Sequence, residues 1–422
     1  MMSWLCSIVA WIVCGAMAFG LSLMEPVDKD RNWGSITQAL IFHQVRKYLL
    51  YLDPRKDHVK YWRPQILLLV SDPRKSCAII EFTNSLKKGG LFLLGHVKIG
   101  EMGENLGEDP ISSETGNWYS LIDFLNIKAF VEITMSESLR KGMQQLARLA
   151  GIGALKPHTV VLGLPFEDDE YVQDDFASGN YKDSRMDSIF PKTAASKRPM
   201  DAVQYLTIIE DLLKLRKNVC LYRNFQKLDH GDWFKAGFFR TSTRNNSVVY
   251  CDVWLVDFLG PTSNSFDDTI SEFMLQMSAI VSKVQKWKKL TIRIMVRVRD
   301  TESDEARKVE SMVHKKLDDF RIEAEVLRVQ LNPGPEAGKP KQVGRREFQL
   351  DTISDRYMKF MNGKILEKSA YTAISFMYLR QPPVGVEDEG KRRFIKLLEI
   401  LSKDMPPTLF IHGIHSVISK EL

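Results

Sequence analysis

The chain is poor in cysteine, has no paired metal-ligand spacing and carries no large surplus of either charge. Its five cysteines, Cys6, Cys14, Cys77, Cys220 and Cys251, include no CxxC pair and lie far apart. That excludes a disulfide-stapled scaffold or a thiolate metal site and points to a reducing compartment. The 59 basic and 53 acidic residues leave a net charge of +6, without the one-sided excess that grips nucleic-acid phosphates. A catalytic constellation is also missing. Asp72, Glu132, Asp252 and Asp257 stand in or at the ends of strand-like runs, with no nucleophile and base at workable spacing, so the chain reads as a non-enzyme. His96, His158, His230, His412 and His415 are scattered, and only His412 with His415 approaches a ligand-like spacing. "GPEAGKP" at 334–340 fails as a phosphate loop, because three residues separate its glycines and Pro340 replaces the Ser or Thr that would hold magnesium. The Asn245 sequon reads as a chance triplet in such a compartment.

What the chain does have begins at once. Residues 1–24, "MMSWLCSIVAWIVCGAMAFGLSLM", hold no charged side chain. A helix of that length extends ~36 Å at about 1.5 Å per residue, enough for a hydrocarbon core of about 30 Å. The Ala16-Met17-Ala18 step suits a signal peptidase, yet no Lys or Arg precedes the apolar run. Gly15, Ala16, Ala18, Gly20 and Ser22 are small residues of the kind that let membrane helices pack closely. The expectation is a transmembrane helix over 1–24, the last of a truncated bundle. Arg46, Lys47, Arg55, Lys56, Lys60 and Arg63 follow it, so the positive-inside tendency puts the remainder in the cytosol, with the organelle open.

Residues 25–60 read as a juxtamembrane amphipathic helix and connector, with Ser35 as N-cap and Pro54 as stop. From residue 61 apolar runs alternate with amphipathic stretches. "QILLLV" (65–70), "LFLLGHV" (91–97), "AFVEIT" (129–134) and "TVVLGLP" (159–165) are buried-type strands with helices between them, a first α/β subdomain over 61–166. Residues 167–200 are polar and without period, which predicts a flexible linker. A second α/β subdomain follows over 201–422, with strands at 218–225, 247–258, 290–298, 322–330, 373–379 and 408–414. Mostly parallel sheets covered on both faces are the expected architecture. "KRRFIKLLEILSK" (391–403) is a basic amphipathic helix whose plainest role is a solvated face over a core, with anionic lipid as the alternative.

In "GIGALKPHTVVLG" (151–163), Gly151 and Gly153 follow a helix and Gly163 ends a strand, a layout in which backbone amides can approach a phosphate and which also serves ordinary turns.

Several blocks carry a resemblance. "NWGSITQAL" (32–40), "YWRPQILLLVSDPR" (61–74), "LKKGGLFLLGHVKIGEM" (86–102), "IKAFVEITMSESLRKGMQQLARLAGIGALKPHTVVLGLP" (127–165), "CDVWLVDF" (251–258) and "WKKLTIRIMVRV" (287–298) resemble the C-terminal part of cation-chloride cotransporters, solute carrier family 12, most nearly its cotransporter-interacting branch. The resemblance implies two universal-stress-protein-like, Rossmann-like subdomains forming a cytosolic regulatory and dimerisation region. Its partners would be a second copy or another cotransporter, with membrane lipid nearby and no nucleic acid. It requires no cofactor, although ATP or ADP enters through the stress-protein motif of Gly, two residues, Gly, nine residues, then Gly and a hydroxyl residue. Here nine residues separate Gly153 from Gly163, Gly151 stands one position too close, and Leu164 replaces the hydroxyl. Chloride-coupled cation symport belongs to the family's helix bundle, and no ion-site residue carries over to this chain.

Overall fold

The structure is a computed structural model that describes residues 4–23, 35–53, 63–101, 109–165, 174–177, 179–192, 200–228, 249–260, 268–287, 290–332, 350, 353–382, 385 and 387–414. The chain divides into two compact units, Met1–Arg55 and Lys56–Leu422.

The first unit holds helices α1 (Trp4–Leu23) and α2 (Ile36–Tyr51). Ser35 caps α2 as expected, its hydroxyl accepting from the Gln38 amide at 3.0 Å. Uncharged α1 exposes Trp4, Trp11 and Phe19. Among the described residues no helix is long and apolar enough to cross a membrane. The transmembrane helix expected over 1–24 is therefore corrected to an apolar helix over Trp4–Leu23, with the side chains at 5 and 21–23 outside the description.

In the second unit, the chain alternates strand and helix through two matching rounds. The first runs β1 (Ile66–Leu69), α3 (Cys77–Leu86), β2 (Phe92–Ile99), α4 (Ser112–Phe124), β3 (Phe130–Ser136), α5 (Leu139–Leu149), β4 (Thr159–Gly163), the short α6 (Ser184–Ile189), α7 (Ala202–Lys214) and β5 (Asn218–Arg223). The second runs β6 (Val249–Trp254), α8 (Thr269–Ser282), β7 (Leu290–Val298), α9 (Asp304–Phe320), β8 (Glu325–Gln330), α10 (Asp355–Lys368), β9 (Thr372–Tyr378), α11 (Asp388–Leu401) and β10 (Thr408–His412).

All ten strands form one sheet, in the order β3-β2-β1-β4-β5-β10-β9-β6-β7-β8. Within each half the strands are parallel and follow the doubly wound order 3-2-1-4-5, and the halves meet where β5 pairs antiparallel with β10. The expected mostly parallel α/β fold is present, but as a continuous sheet. The boundary moves as well: α7 and β5 complete the first half, so the halves divide after Arg223 and not across 167–200. Helices α3, α4, α8 and α9 cover one face of the sheet and α5, α7, α10 and α11 the other. The apolar side of the basic helix α11 lies in this core through Phe394, Leu397, Leu398 and Leu401, so its plainer reading holds.

Candidate functional site at the two switch points

Open doubly wound sheets bind ligands beyond the carboxyl ends of their strands, where the strand order reverses. This chain has two such places, between β1 and β4 and between β6 and β9. The two are built alike. Asp72 stands three residues beyond Leu69, the end of β1, and Asp257 three residues beyond Trp254, the end of β6. Each carboxylate accepts from the amide two residues on, Arg74 at 2.9 Å and Leu259 at 3.1 Å, and so turns the chain back over the sheet.

In the first half the crevice is covered by residues 174–191. Arg74 is 6% exposed, which would be costly without partners. Its Nε donates to Asp174 Oδ2 at 3.1 Å, its Nη1 to the Phe190 carbonyl at 2.6 Å and its Nη2 to Asp187. Its guanidinium lies over the Phe176 ring, 5.6 Å from the centroid, and Phe176 in turn stacks on Phe190 at 5.9 Å. The adjacent Asp175 Oδ2 accepts from the Cys77 amide at 3.1 Å, at the first turn of α3. A helix N-terminus attracts anions. Here the chain supplies its own. The flexible linker expected over 167–200 is thus corrected: the described part of it is docked by one buried arginine and an aromatic cluster.

Burial, partly offset by bonds from the Cys77 amide and thiol, pushes the Asp175 carboxyl up to about 6. Its folded value exceeds its unfolded value near 3.8, so the penalty is absent below about pH 4 and complete above about pH 6. Asp175→Asn keeps an oxygen for the Cys77 amide and removes the charge. Thermal melting is expected to show it stabilised by about 1–2 kcal/mol at pH 7.5, after allowance for partial solvent screening, with little change at pH 4.5. Equal midpoints for the two proteins at both pH values would contradict this.

In the second half, Asp257 is 5% exposed and also accepts from the Gly260 amide at 3.1 Å and from Arg380 Nη1 at 2.8 Å. Burial raises the Asp257 carboxyl above the ordinary range, with Arg380 opposing. A Cβ at Gly260 would sit 2.5 Å from Asp257 Oδ2 and 3.0 Å from Arg380 Nη1, so only glycine closes this turn. The α8 N-terminus receives Asp268, which accepts from the Ser271 amide at 2.9 Å and the Tyr378 hydroxyl at 2.5 Å. Among the described residues, both switch points thus pair an arginine with carboxylates of the chain itself.

The glycines of the nucleotide expectation do not converge. Gly163 is the last residue of β4, facing the Tyr222 ring at 3.0 Å from where a Cβ would stand, whereas Gly151 and Gly153 precede β4 at its other end. They shape a turn, with Ile152 and Leu155 exchanging backbone hydrogen bonds at 3.0 and 2.9 Å. Nor do the strand-end acids meet: Asp252, fully buried within β6, binds Arg293 on β7 at 2.7 and 2.9 Å. His412 Nδ1 pairs with the Leu379 carbonyl at 2.9 Å, and His415 lies outside the described residues. Among the described residues no group of three or more side chains could hold a metal. Sequence reasoning missed Arg74 and Arg380. The only signal for Arg74 was its place just past an apolar strand and Asp72-Pro73.

A family profile described as "Solute carrier family 12" matches residues 76–172. The protein called "Solute carrier family 12 member 9" from Danio rerio is 38% identical over 409 residues, covering 93% of this chain and 44% of the relative. "Vacuolar cation-chloride cotransporter 1" of Saccharomyces cerevisiae is 31% identical over 324 residues, covering 72% of this chain and 28% of the relative. The chain thus spans less than half the length of these curated relatives. Among solved structures, the cytoplasmic domain of a prokaryotic cation chloride cotransporter aligns with a TM-score of 0.43 at 13% identity, covering 84% of this chain and 98% of that one.

Proposed function

Because this chain belongs to solute carrier family 12, we propose that it is the cytosolic regulatory and dimerisation region of a cation-chloride cotransporter-like membrane transporter. The observation that carries this reading is the reach of the similarity, 93% of the chain at 38% identity, which takes in both halves of the ten-stranded sheet. Two further features support it. At both switch points an arginine is paired with a carboxylate of the chain itself, Arg74 with Asp174 and Arg380 with Asp257, which favours a role carried by the surfaces of the fold. Cys77, Cys220 and Cys251 are buried free thiols, and burial raises Cys220 well above the usual thiol range, as suits an inert cysteine in a reducing compartment. Coupled movement of cations and chloride belongs, in this reading, to parts of the transporter other than the α/β halves.

The partner is a second copy of the chain or another member of the family. In mild detergent, light scattering is expected to give a protein mass twice the 48.5 kDa of one chain. A single-chain mass at tens of micromolar would remove dimerisation from the proposal.

A further inference from the structure

The turn built on Gly151 and Gly153 has a surface of its own. Leu149, at the end of α5, is 71% exposed, and Ile152 and Leu155 are 70% and 36% exposed. Three aliphatic side chains within seven residues stand in water at the end of the sheet where β1 begins, fixed there by the bond from the His158 amide to the Gln65 carbonyl at 3.1 Å. The turn is rigid. Ile152 and Leu155 are backbone partners, Gly151 and Gly153 have φ of 90° and 59°, and a Cβ on Gly151 would collide with the Leu155 carbonyl. Their side chains therefore share one face without the ordering cost a floppy loop would incur.

Along the chain, the charge on either side of this tip is of one sign. No Asp or Glu occurs from Ser138 to Phe166, while Arg148 and Lys156 flank the tip and are exposed. The adjoining α7–β5 turn adds Lys217, whose Nζ donates to the Pro157 carbonyl at 2.6 Å. Burial, and then Lys156, hold the Lys217 ammonium below the ordinary lysine range. Aliphatic groups flanked by Lys and Arg match an anionic bilayer, where the apolar part enters the headgroup layer and the cations meet anionic headgroups.

We propose that the Leu149–Lys156 tip docks on an anionic lipid surface, with Leu149, Ile152 and Leu155 entering the headgroup layer and Arg148 and Lys156 meeting lipid phosphates. The proposal takes from the transporter reading only that a bilayer is at hand.

The full chain, reconstituted in vesicles containing a photoreactive phosphatidylserine, tests it by mass-spectrometric mapping of lipid adducts. Adducts are expected on the 149–156 peptide. They should fall about tenfold in Ile152→Asn/Leu155→Asn, and similarly in the surface variant Arg148→Glu/Lys156→Glu, which removes no core contact. They should also fall with a phosphatidylcholine probe. Adducts elsewhere in the chain but none on the tip, or tip adducts indifferent to both variants and to headgroup charge, would overturn the proposal. Protection of the tip in detergent that grows with protein concentration would mean that a second copy covers it, which also overturns it. No adducts anywhere in the chain would remove the bilayer, and the transporter reading with it.

Discussion

Arg74→Met is expected to free residues 174–191 from the first half without unfolding the sheet. In the native protein one buried guanidinium holds Asp174, Asp187 and the Phe190 carbonyl, so three anchor points depend on a single side chain. Methionine retains much of the volume but none of the donors. Breaking a buried pair costs about 3–5 kcal/mol, because the partner charge is stranded. Here the acids left behind are less buried than the arginine, with Asp187 half exposed and Asp174 a quarter exposed and still paired with Lys192 at 3.2 Å, so part of the loss is recovered. A local cost of about 2–3 kcal/mol remains, which corresponds to opening that is at least about thirtyfold more frequent. Trypsin reports it directly, since Lys182 and Arg185 lie inside the docked segment and are exposed. Cleavage there should accelerate by that factor while the main thermal transition moves little. Unchanged cleavage would mean that Phe176, Met186 and Phe190 hold the segment without the arginine.

The second large effect concerns Arg293, and its sign depends on pH. Asp252 is fully buried and accepts both arms of Arg293 as well as the Thr372 hydroxyl at 2.5 Å. Burial raises its carboxyl above the ordinary carboxylate range, and Arg293 and Thr372 work against that rise. Arg293→Met removes the main opposition, and the carboxyl rises further. A folded value above the unfolded value near 3.8 means that the folded state holds the proton more tightly, so stability falls as pH rises through that window. Urea unfolding of the variant should show a loss of about 3–5 kcal/mol at pH 8 that shrinks markedly at pH 5. Adding Asp252→Asn should recover much of the loss at pH 8, because the stranded charge is gone. A loss independent of pH would show that the arginine acts mainly by packing, through its contact with the Tyr250 ring at 3.8 Å.

Much of this architecture was legible because buried parallel strands advertise themselves. "ILLL" in β1 is buried at every residue and covered on both faces, and alternating polarity would have been the mark of a half-exposed strand. The cap at Ser35 was legible for a similar reason, its side chain bonding to an amide three residues on. What stayed hidden rests on contacts across long sequence distances. Arg74 reaches Asp187, 113 residues on, and nothing in "SDPRKS" distinguishes it from a surface arginine. In 174–191 the polar majority masks three apolar anchors, Phe176, Met186 and Phe190, of which only the last two stand at a helical spacing, over too short a stretch to form a pattern. Gly151 and Gly153 before β4 and Gly163 at its end stand in the order in which the sequence analysis places them. The joining of two halves into one sheet was equally invisible, since Val219 pairs with His412 far along the chain.

That antiparallel seam has a consequence for how the chain is made. During synthesis every strand of the first half has left the ribosome once Arg223 emerges, yet the strand that covers β5 comes last, at Thr408–His412. From the emergence of Arg223 until β10 follows, β5 is a bare edge that can recruit the wrong strand, including the β5 of a neighbouring nascent chain. Truncation before Thr408 would leave that edge open for good, and should be read out as aggregation and not as a trimmed, working domain.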